Sequence, residues 1–335
     1  MTEYSDLDLT PDTKTMLHLP AHERAAACCR DIWVEYPSAF LATERVKSLV
    51  SLPRCSYNPG MMLVGLSGAG KSRLAQRWVE QSWESESVWA GRLIYVDMSE
   101  DTENLDVRKR VIEEIGKACG RPEIRTVQQA RRIIREYGIV AIIIDELGET
   151  EEAIVKRHWK ANLLAVRGFA SGAWGVNLIL VGIPAFLEAV MLNEQLRSRF
   201  ANRVARLNYW TENDDLAAFV LGYVRHMPMR QVSAVATDRF IGALLQYSLA
   251  AQSGATYAYA SLRSIVDLLK ETFRQALLSG KEYVTEANLL ITYKQMGGNM
   301  GLDPKDRPKL TVLVKGDKPP KILDSSKMGS SKNAK

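Results

Sequence analysis

The chain has 335 residues, of which 46% are hydrophobic and 25% charged, and its formal net charge is +5. This balance excludes a collagen-like, disordered or coiled-coil protein, and so mild a basic excess permits a polyanionic partner without requiring one. The four cysteines (Cys28, Cys29, Cys55 and Cys119) form no CxxC pair, so neither a zinc site nor a redox motif is predicted.

No secretory leader or membrane span is predicted. Residues 1–12 are acidic and polar, which is unlike a signal peptide. The most apolar long stretch, 178–192, is too short to cross a bilayer and contains Pro184 and Glu188. We therefore expect a cytoplasmic protein without membrane contact.

Residues 1–58 are predicted to be an N-terminal arm and helical extension, and residues 59–210 an α/β domain. Helical spacing of apolar residues begins near Asp31 but is interrupted by Pro37. Short apolar runs then alternate with amphipathic helices, as in a parallel sheet that is buried on both faces and joined by crossover helices. The five predicted strands are 61–64, 93–96, 139–144, 178–181 and 204–207.

After Trp210 the strands stop, and residues 211–300 are predicted to form an all-helical lid. Its four helices are expected to begin near Thr211, Thr237, Tyr257 and Thr285. Residues 301–335 contain four prolines and a Ser/Lys-rich end, so we expect a flexible basic tail. The nine basic and four acidic residues of this tail account for the whole net charge, which leaves the rest of the chain formally neutral.

The first predicted strand leads directly into GLSGAGKS, which has the full G-x-x-x-x-G-K-S spacing of a phosphate-binding loop. In such a loop the glycines let backbone N–H groups surround phosphate oxygens, and the helix that follows adds its positive end. Lys71 is expected to reach the β- and γ-phosphates of ATP, and the Ser72 hydroxyl to hold Mg²⁺. The predicted nucleotide-binding residues are Gly65, Leu66, Ser67, Gly68, Ala69, Gly70, Lys71, Ser72 and Arg73.

The third predicted strand ends in two acids, Asp145 and Glu146, after six apolar residues. Ligands of open α/β sheets bind at the carboxyl ends of the strands. Asp145 is therefore expected to hold Mg²⁺ through water, and Glu146 to polarise the water that attacks ATP. An adjacent acid at this place favours hydrolysis over kinase chemistry.

An arginine from a neighbouring subunit often neutralises the charge that develops during phosphoryl transfer. Just before the fifth strand, the stretch 196–207 offers Arg199 as the first choice for this role and Arg197 as the second. Arg263, at the start of a long helix, is expected to point back at the γ-phosphate. A solvated basic surface is the alternative for each arginine.

Two further basic sets are candidate DNA contacts, because a ring that follows a phosphate backbone needs basic side chains along its pore. The first set is Arg108, Lys109 and Arg110, and the second is Arg131, Arg132 and Arg135. Arg131 and Arg135 are four residues apart and share one helix face. Solvated charged faces are again the alternative.

Together, the phosphate loop, the acid pair, the arginine-rich stretch and the helical lid resemble an AAA+ ATPase. Within that class the chain resembles the TniB/TnsC family of DNA transposition regulators, and most closely the TnsC proteins of type I-F CRISPR-associated transposons. The resemblance covers about residues 30–295. Two segments distinguish this family from other ATPases. One surrounds Tyr36-Pro37, upstream of the phosphate-binding loop, and the other is the GIP segment at 182–184.

The resemblance implies a slow, Mg²⁺-dependent ATPase of the bacterial cytoplasm. ATP-bound subunits would assemble head to tail around duplex DNA, either as a hexameric or heptameric ring or as a filament. A target-selection complex that contains TniQ would recruit this assembly, which would then recruit and activate the transposase. Hydrolysis would allow disassembly.

One segment departs from the AAA+ pattern. A polar sensor residue is expected at the end of the fourth strand, but the chain reads Val181-Gly182-Ile183-Pro184 there, and Asn177 lies at the other end of the strand. Slow turnover is compatible with this departure. The alternatives are a helicase loader or origin-binding ATPase, a nucleotide-switched scaffold with little hydrolysis, and a small-molecule kinase.

Overall fold

The computed structural model describes residues 7–53, 58–100, 106–147, 153–211, 213–250 and 260–296. Cys55, Glu212 and the whole predicted tail, 301–335, lie outside these ranges. Across the described ranges, no helix combines the length and the apolar character that a membrane span needs.

Five parallel strands form one sheet in the spatial order β2-β3-β4-β1-β5. The strands are β1 (Gly60–Val64), β2 (Arg92–Asp97), β3 (Ile139–Asp145), β4 (Asn177–Gly182) and β5 (Val204–Arg206). Each agrees with a predicted strand to within one residue at either end. The predicted α/β class with a parallel five-stranded sheet is therefore confirmed.

Helices cover both faces of this sheet. In the described ranges they are α1 (Pro11–Met16), α2 (Ala21–Ala27), α3 (Pro37–Val50), α4 (Lys71–Ser82), α5 (Val107–Ala118), α6 (Val127–Glu136), α7 (Ala153–Phe169), α8 (Pro184–Met191), α9 (Glu194–Phe200), α10 (Asp214–Val224), α11 (Asp238–Ala250), α12 (Leu262–Leu278) and α13 (Glu286–Gln295). Alternate residues of a strand belong to two hydrophobic cores, one on each face of the sheet. Met61 and Leu63 pack with α3, α4 and the lid, whereas Met62 and Val64 pack with α5 to α9.

Three helix starts differ from the sequence prediction. The lid helix expected near Tyr257, a residue outside the described ranges, begins at Leu262 after its cap Ser261. Pro37 does not interrupt a helix but begins α3, because the first helical position needs no N–H donor. The predicted cap at Thr211 is wrong: Asn213 caps α10, and its side-chain oxygen accepts the Leu216 N–H at 3.0 Å.

Residues 7–30, expected to be an arm, form α1 and α2, and these two helices pack on the lid. Helix α2 contacts α12, and Leu17 and Cys28 are completely buried. The apolar pattern is weak because each helix is short. The chain then returns to the sheet through residues 31–36, so the N-terminus bridges the lid and the α/β domain.

Arg24 of α2 fixes this attachment. Its guanidinium is 1% exposed and donates two hydrogen bonds to the Glu282 carboxylate, at 2.7 and 2.6 Å. It also donates to the carbonyl oxygens of Pro228 and Leu19, at 2.9 and 3.2 Å. Four hydrogen bonds therefore satisfy this buried cation between α2 and the lid.

Replacing Arg24 by alanine is expected to lower the free energy of unfolding by about 1.5–3 kcal/mol, the usual contribution of hydrogen bonds to a charged group. Chemical denaturation at neutral pH measures this loss. The matched control is Arg274→Ala, which removes a more exposed i,i+3 pair with Glu271 and should cost at most about 1 kcal/mol. Equal losses in the two variants would contradict the prediction.

Acid should narrow the difference between wild type and Arg24→Ala but not abolish it, because the hydrogen bonds from Arg24 to the Pro228 and Leu19 carbonyls do not titrate. The hydrogen bond from Arg24 holds the pKa of the Glu282 carboxyl below its usual range. A lowered pKa stabilises the fold above the unfolded value of about 4.3, and this contribution disappears as the pH falls through the folded value. A gap between the two proteins that is unchanged in strong acid would exclude the ion pair with Glu282 as a contributor.

Candidate functional site

The loop Gly65–Gly70 joins β1 to α4 at the carboxyl end of the sheet. Gly68 and Gly70 have φ values of +74° and +85°, which favour glycine, and Gly70 is the residue that precedes α4. The Gly65 N–H donates to the Gly182 carbonyl at the end of β4, at 3.2 Å. The loop thus has the turn and the anchorage that a phosphate cradle at a helix N-terminus requires.

Lys71 and Ser72 begin α4 beside this loop. Lys71 is 5% exposed, and its Nζ donates to the Leu66 carbonyl at 3.1 Å, so the side chain folds back over the loop. Ser72 is half-buried and lies beside Asp145. Arg73 lies elsewhere: it is exposed, and its guanidinium donates to Glu80, two turns along α4, at 2.8 Å.

Asp145 is the last residue of β3 and is completely buried. Its Oδ1 accepts the Glu146 N–H at 2.9 Å, and its Oδ2 accepts the Tyr95 O–H at 2.7 Å. Burial raises the pKa of the Asp145 carboxyl, while the hydroxyls of Ser72 and Tyr95 lower it. The pKa of the Asp145 carboxyl is raised overall, so the hydrogen bonds from Ser72 and Tyr95 offset only part of the effect of burial.

Glu146 has a φ of +60°, and it is the one non-glycine residue with positive φ among the described residues. This conformation is uncommon for a residue with a side chain and costs of order 1–3 kcal/mol. Strain of this kind is concentrated at functional sites. It turns the chain sharply just after β3, where the sequence predicts the residue that polarises water.

The residues at this edge suit Mg²⁺. A serine hydroxyl and a carboxylate are the hard oxygen donors that Mg²⁺ prefers, and Mg²⁺ is usually held by one or two carboxylates together with substrate phosphates. In the described part of the chain, no three His, Cys, Asp or Glu side chains lie together as a complete metal site. One serine hydroxyl and one carboxylate form a donor set that can hold Mg²⁺ together with phosphate oxygens.

The lid begins against the loop. The N–H of Arg263, in the first turn of α12, donates to the Gly68 carbonyl at 3.0 Å. A Cβ at Gly68 would lie only 2.9 Å from the Ser261 side chain, so this contact requires glycine. The Arg263 side chain is exposed. A small pocket between loop and lid is lined by Leu66, Ser67, Ala69, Leu207, Asn208, Tyr209, Trp210, Ala260, Ser261 and Leu262.

Tyr36 is a contact of the loop that sequence reasoning missed. Its hydroxyl donates to the Ala69 carbonyl at 3.4 Å, and its ring lies 5.2 Å from that of Trp210. In the sequence, the Tyr36-Pro37 pair is noted only as part of a segment that resembles the family. In the structure, Pro37 begins α3, and Tyr36 contacts the loop from the residue just before that helix.

The two candidate trans-arginines lie on α9, which contacts β1 and α8 and leads into the edge strand β5. Phe200 anchors this helix: a Cβ at Gly60 of β1 would lie 2.2 Å from its ring. Arg197 is exposed. Arg199 is half-buried, donates to the Arg167 carbonyl at 3.0 Å, and has a guanidinium pKa that burial lowers.

Some of the candidate DNA-contacting side chains are exposed, and others contact the rest of the protein. Lys109, Arg132 and Arg135 are exposed on α5 and α6, two helices that contact each other. Arg110 is 4% exposed and donates to the Asp97 carbonyl and the Glu100 carboxylate, both at 2.9 Å. The guanidinium of half-buried Arg131 lies 5.4 Å from the Trp174 ring.

A shallow depression on α5 adds one basic residue that sequence reasoning missed. Arg125, exposed in the α5–α6 connection, lines this depression with Arg108 and Lys109. Asp106 and Glu113 line it too, so its charge is mixed. Arg125 had no motif to mark it, because the fold alone brings it beside α5.

Comparisons with known proteins agree with this architecture. The profile of a family described as "Bacterial TniB protein" matches residues 24–212. Cdc6p from Pyrobaculum aerophilum superposes with a TM-score of 0.57 at 14% identity, over 81% of this chain and 70% of that one. The Aeropyrum pernix Orc1 protein, solved in complex with DNA, gives 0.56 at 16% identity, over 81% and 69%.

These two structural likenesses show the AAA+ fold and nothing further about activity. The search of curated proteins returned no match.

Proposed function

Because the chain belongs to the TniB family of bacterial proteins, we propose that it is an ATP-dependent regulator of DNA transposition. It binds ATP and Mg²⁺ at Gly65–Ser72, oligomerises on duplex DNA, and links a TniQ-containing target-selection complex to the transposase in the bacterial cytoplasm. The observation that carries the nucleotide part is the convergence of Lys71, Ser72, Asp145 and Glu146 on one sheet edge.

The roles of these residues follow from their placement. Backbone N–H groups of the loop and the first turn of α4 hold the phosphates, and Lys71 swings from the Leu66 carbonyl to the nucleotide. Ser72 and Asp145 would hold Mg²⁺, which would supply positive charge to the phosphates of the nucleotide. Glu146 orients a water molecule and accepts its proton. Arg73 points away and is left out of this site.

The lid senses the occupant of the loop through backbone contact. Since Arg263 donates to Gly68, a loop that changes shape around phosphate moves the start of α12. We propose residues 59–210 as the nucleotide-binding domain and residues 211–300 as the lid, with α1 and α2 attached to the lid. Slow turnover accords with the apolar end of β4, where no polar residue follows Val181.

DNA binding depends on local charge, since residues 1–300 carry no formal net charge. We assign it to the exposed side chains of Lys109, Arg132 and Arg135, joined by Arg108 and Arg125. Arg110 and Arg131 are left out, because Arg110 is buried and Arg131 is half-buried against the Trp174 ring. Subunits assembled side by side would multiply this small surface around one duplex.

The decisive experiment is electron microscopy of the purified protein with duplex DNA, in ATP, in a nonhydrolysable analogue, in ADP and without nucleotide. Rings or filaments on DNA are expected with ATP or the analogue and not with ADP. Monomers under every condition would refute the proposal. Capture of a replicative helicase, instead of TniQ and transposase, would favour the helicase-loader alternative.

Single substitutions Lys109→Ala, Arg132→Ala and Arg135→Ala are expected to weaken DNA binding at every sequence tested. Each should reduce the slope of log affinity against log salt by about 1, because each removes one phosphate contact. The charge-matched control is Arg239→Ala, an exposed residue of α11 in the lid. If Arg239→Ala reduced the DNA affinity and the salt slope as much as the three substitutions do, the DNA would not bind specifically at α5 and α6.

A nucleotide-switched scaffold with little hydrolysis is the second candidate, and one observation favours it. The end of β4 offers only Gly182 and Ile183 where a polar sensor would stand. In this case nucleotide binding alone would drive assembly, and loss of Glu146 would leave function intact.

A further inference from the structure

Tyr95 extends from the edge strand β2 to the acid at the end of β3. We propose that Tyr95 is a positioning residue of the Mg²⁺·ATP site, which holds the Asp145 carboxylate in the orientation that metal binding requires. This inference rests on the proposed nucleotide site and deepens it, since it names a residue that no motif marks.

The sheet register brings Tyr95 to this place. Tyr95 is paired with Ile143, and Asp97 with Asp145. Paired residues of parallel strands share a face, and side chains alternate along each strand. Tyr95, Ile143 and Asp145 therefore lie on one face of the sheet. The Tyr95 ring packs in the core formed with α4, and its hydroxyl reaches Asp145 because strand side chains lean along the strand.

Two hydrogen bonds, one to each oxygen, fix the orientation of the Asp145 carboxylate. The Glu146 N–H holds Oδ1 at 2.9 Å and the Tyr95 O–H holds Oδ2 at 2.7 Å. The Ser72 hydroxyl, the other expected metal donor, lies close enough to lower the pKa of both Asp145 and Tyr95. Tyr95 therefore holds one oxygen of the Asp145 carboxylate directly, while its ring packs in the core.

A tyrosine suits this task better than a flexible polar side chain. Its hydroxyl stands at the end of a rigid ring with two rotatable bonds, so little conformational freedom is lost in holding the carboxylate. Partners that orient metal-binding side chains contribute about 10- to 100-fold in metal affinity. Removal of the Tyr95 hydroxyl should therefore affect the metal and leave the phosphate cradle, built from Gly65–Lys71, as it is.

The test is Tyr95→Phe in the full-length protein, probed with Mn²⁺ and a nonhydrolysable ATP analogue. Electron paramagnetic resonance of free Mn²⁺ gives the metal affinity, and titration of the analogue in EDTA gives the metal-free nucleotide affinity. We expect Mn²⁺ affinity to fall about tenfold and metal-free nucleotide affinity to stay the same. Tyr223→Phe is the control, because its buried hydroxyl has no hydrogen-bond partner among the described residues.

The outcomes separate this inference from the proposed function. A wild-type protein that binds no nucleotide would overturn the function itself. A wild-type protein that binds Mn²⁺ with nucleotide, beside an unchanged Tyr95→Phe variant, would overturn only the role of Tyr95. If Tyr95→Phe lost Mn²⁺ affinity and metal-free nucleotide affinity equally, Tyr95 would have only a structural role. In an Asp145→Asn background, Tyr95→Phe should have no further effect on Mn²⁺ affinity, and an additive loss would also overturn the proposal.

Discussion

Replacing Glu146 by glutamine is expected to lower the rate of ATP hydrolysis by about 10²- to 10⁴-fold, the contribution of a positioned general base. Glutamine keeps the size of the side chain and the strained backbone with φ +60°, but its amide accepts no proton from water. ATP binding should persist because Lys71, Ser72 and Asp145 are unchanged. Steady-state phosphate release measures the first effect and nucleotide titration the second.

Assembly on DNA should then outlast that of the wild type, since ATP would remain in the site. The matched control is Glu80→Gln, an exposed acid of α4 that pairs with Arg73, and its turnover should be normal. Undiminished hydrolysis in Glu146→Gln would remove Glu146 from the role of base. Lost hydrolysis together with full transposition would select the scaffold over the ATP-timed regulator.

Replacing Arg199 by alanine is expected to lower turnover in the assembled protein by about 10³- to 10⁵-fold, the range known for arginines that act across a subunit boundary. Arg199 lies on α9, and its guanidinium donates to the Arg167 carbonyl of α7. A neighbouring subunit would have to draw it away from that carbonyl. The effect should appear in assemblies and not in ATP binding by isolated subunits.

Mixing two inactive variants tests whether Arg199 acts across the boundary. A Glu146→Gln subunit retains Arg199, and an Arg199→Ala subunit retains Glu146, so a mixed assembly contains complete sites only if the arginine acts in trans. Recovered hydrolysis in the mixture is the expected result. No recovery, in mixtures shown to co-assemble, would contradict it.

The same design with Arg197→Ala compares the two arginines. Arg197 is exposed and two residues away on the same short helix. The Arg197→Ala variant should retain most of the ATP turnover in assemblies built from this variant alone. If Arg197→Ala were the variant that fails alone and recovers in the mixture, the role would pass from Arg199 to Arg197.

Most of the fold could be predicted from the sequence because its signals are local. Strands β1 to β4 each contain an unbroken apolar run, whereas the short β5 includes Arg206. All five are found within one residue of their predicted ends. The loop could be read because glycines that adopt positive φ, such as Gly68 and Gly70, stand at fixed offsets from Lys71. Asp145 and Glu146 could be read because charged residues directly after a buried strand mark its carboxyl end.

The sequence could not show which residues meet across the chain. Arg110 and Lys109 are neighbours in one basic run, yet Arg110 is buried against Glu100 while Lys109 is exposed. Arg73 follows the loop directly, yet it pairs with Glu80 away from it. A helix separates consecutive side chains by about 100°, so neighbours in sequence point to different surroundings.

The sequence by itself determined the class of this protein: a parallel α/β domain, a phosphate loop, an acid pair and a helical lid. The tertiary structure decided the rest of the site. Tyr95 reaches Asp145 only because β2 and β3 pair in one particular register, and Tyr36 reaches the loop only because α3 begins beside it. Arg24 joins the N-terminus to Glu282 across most of the chain. Such contacts depend on strand order and packing, which local periodicity does not encode.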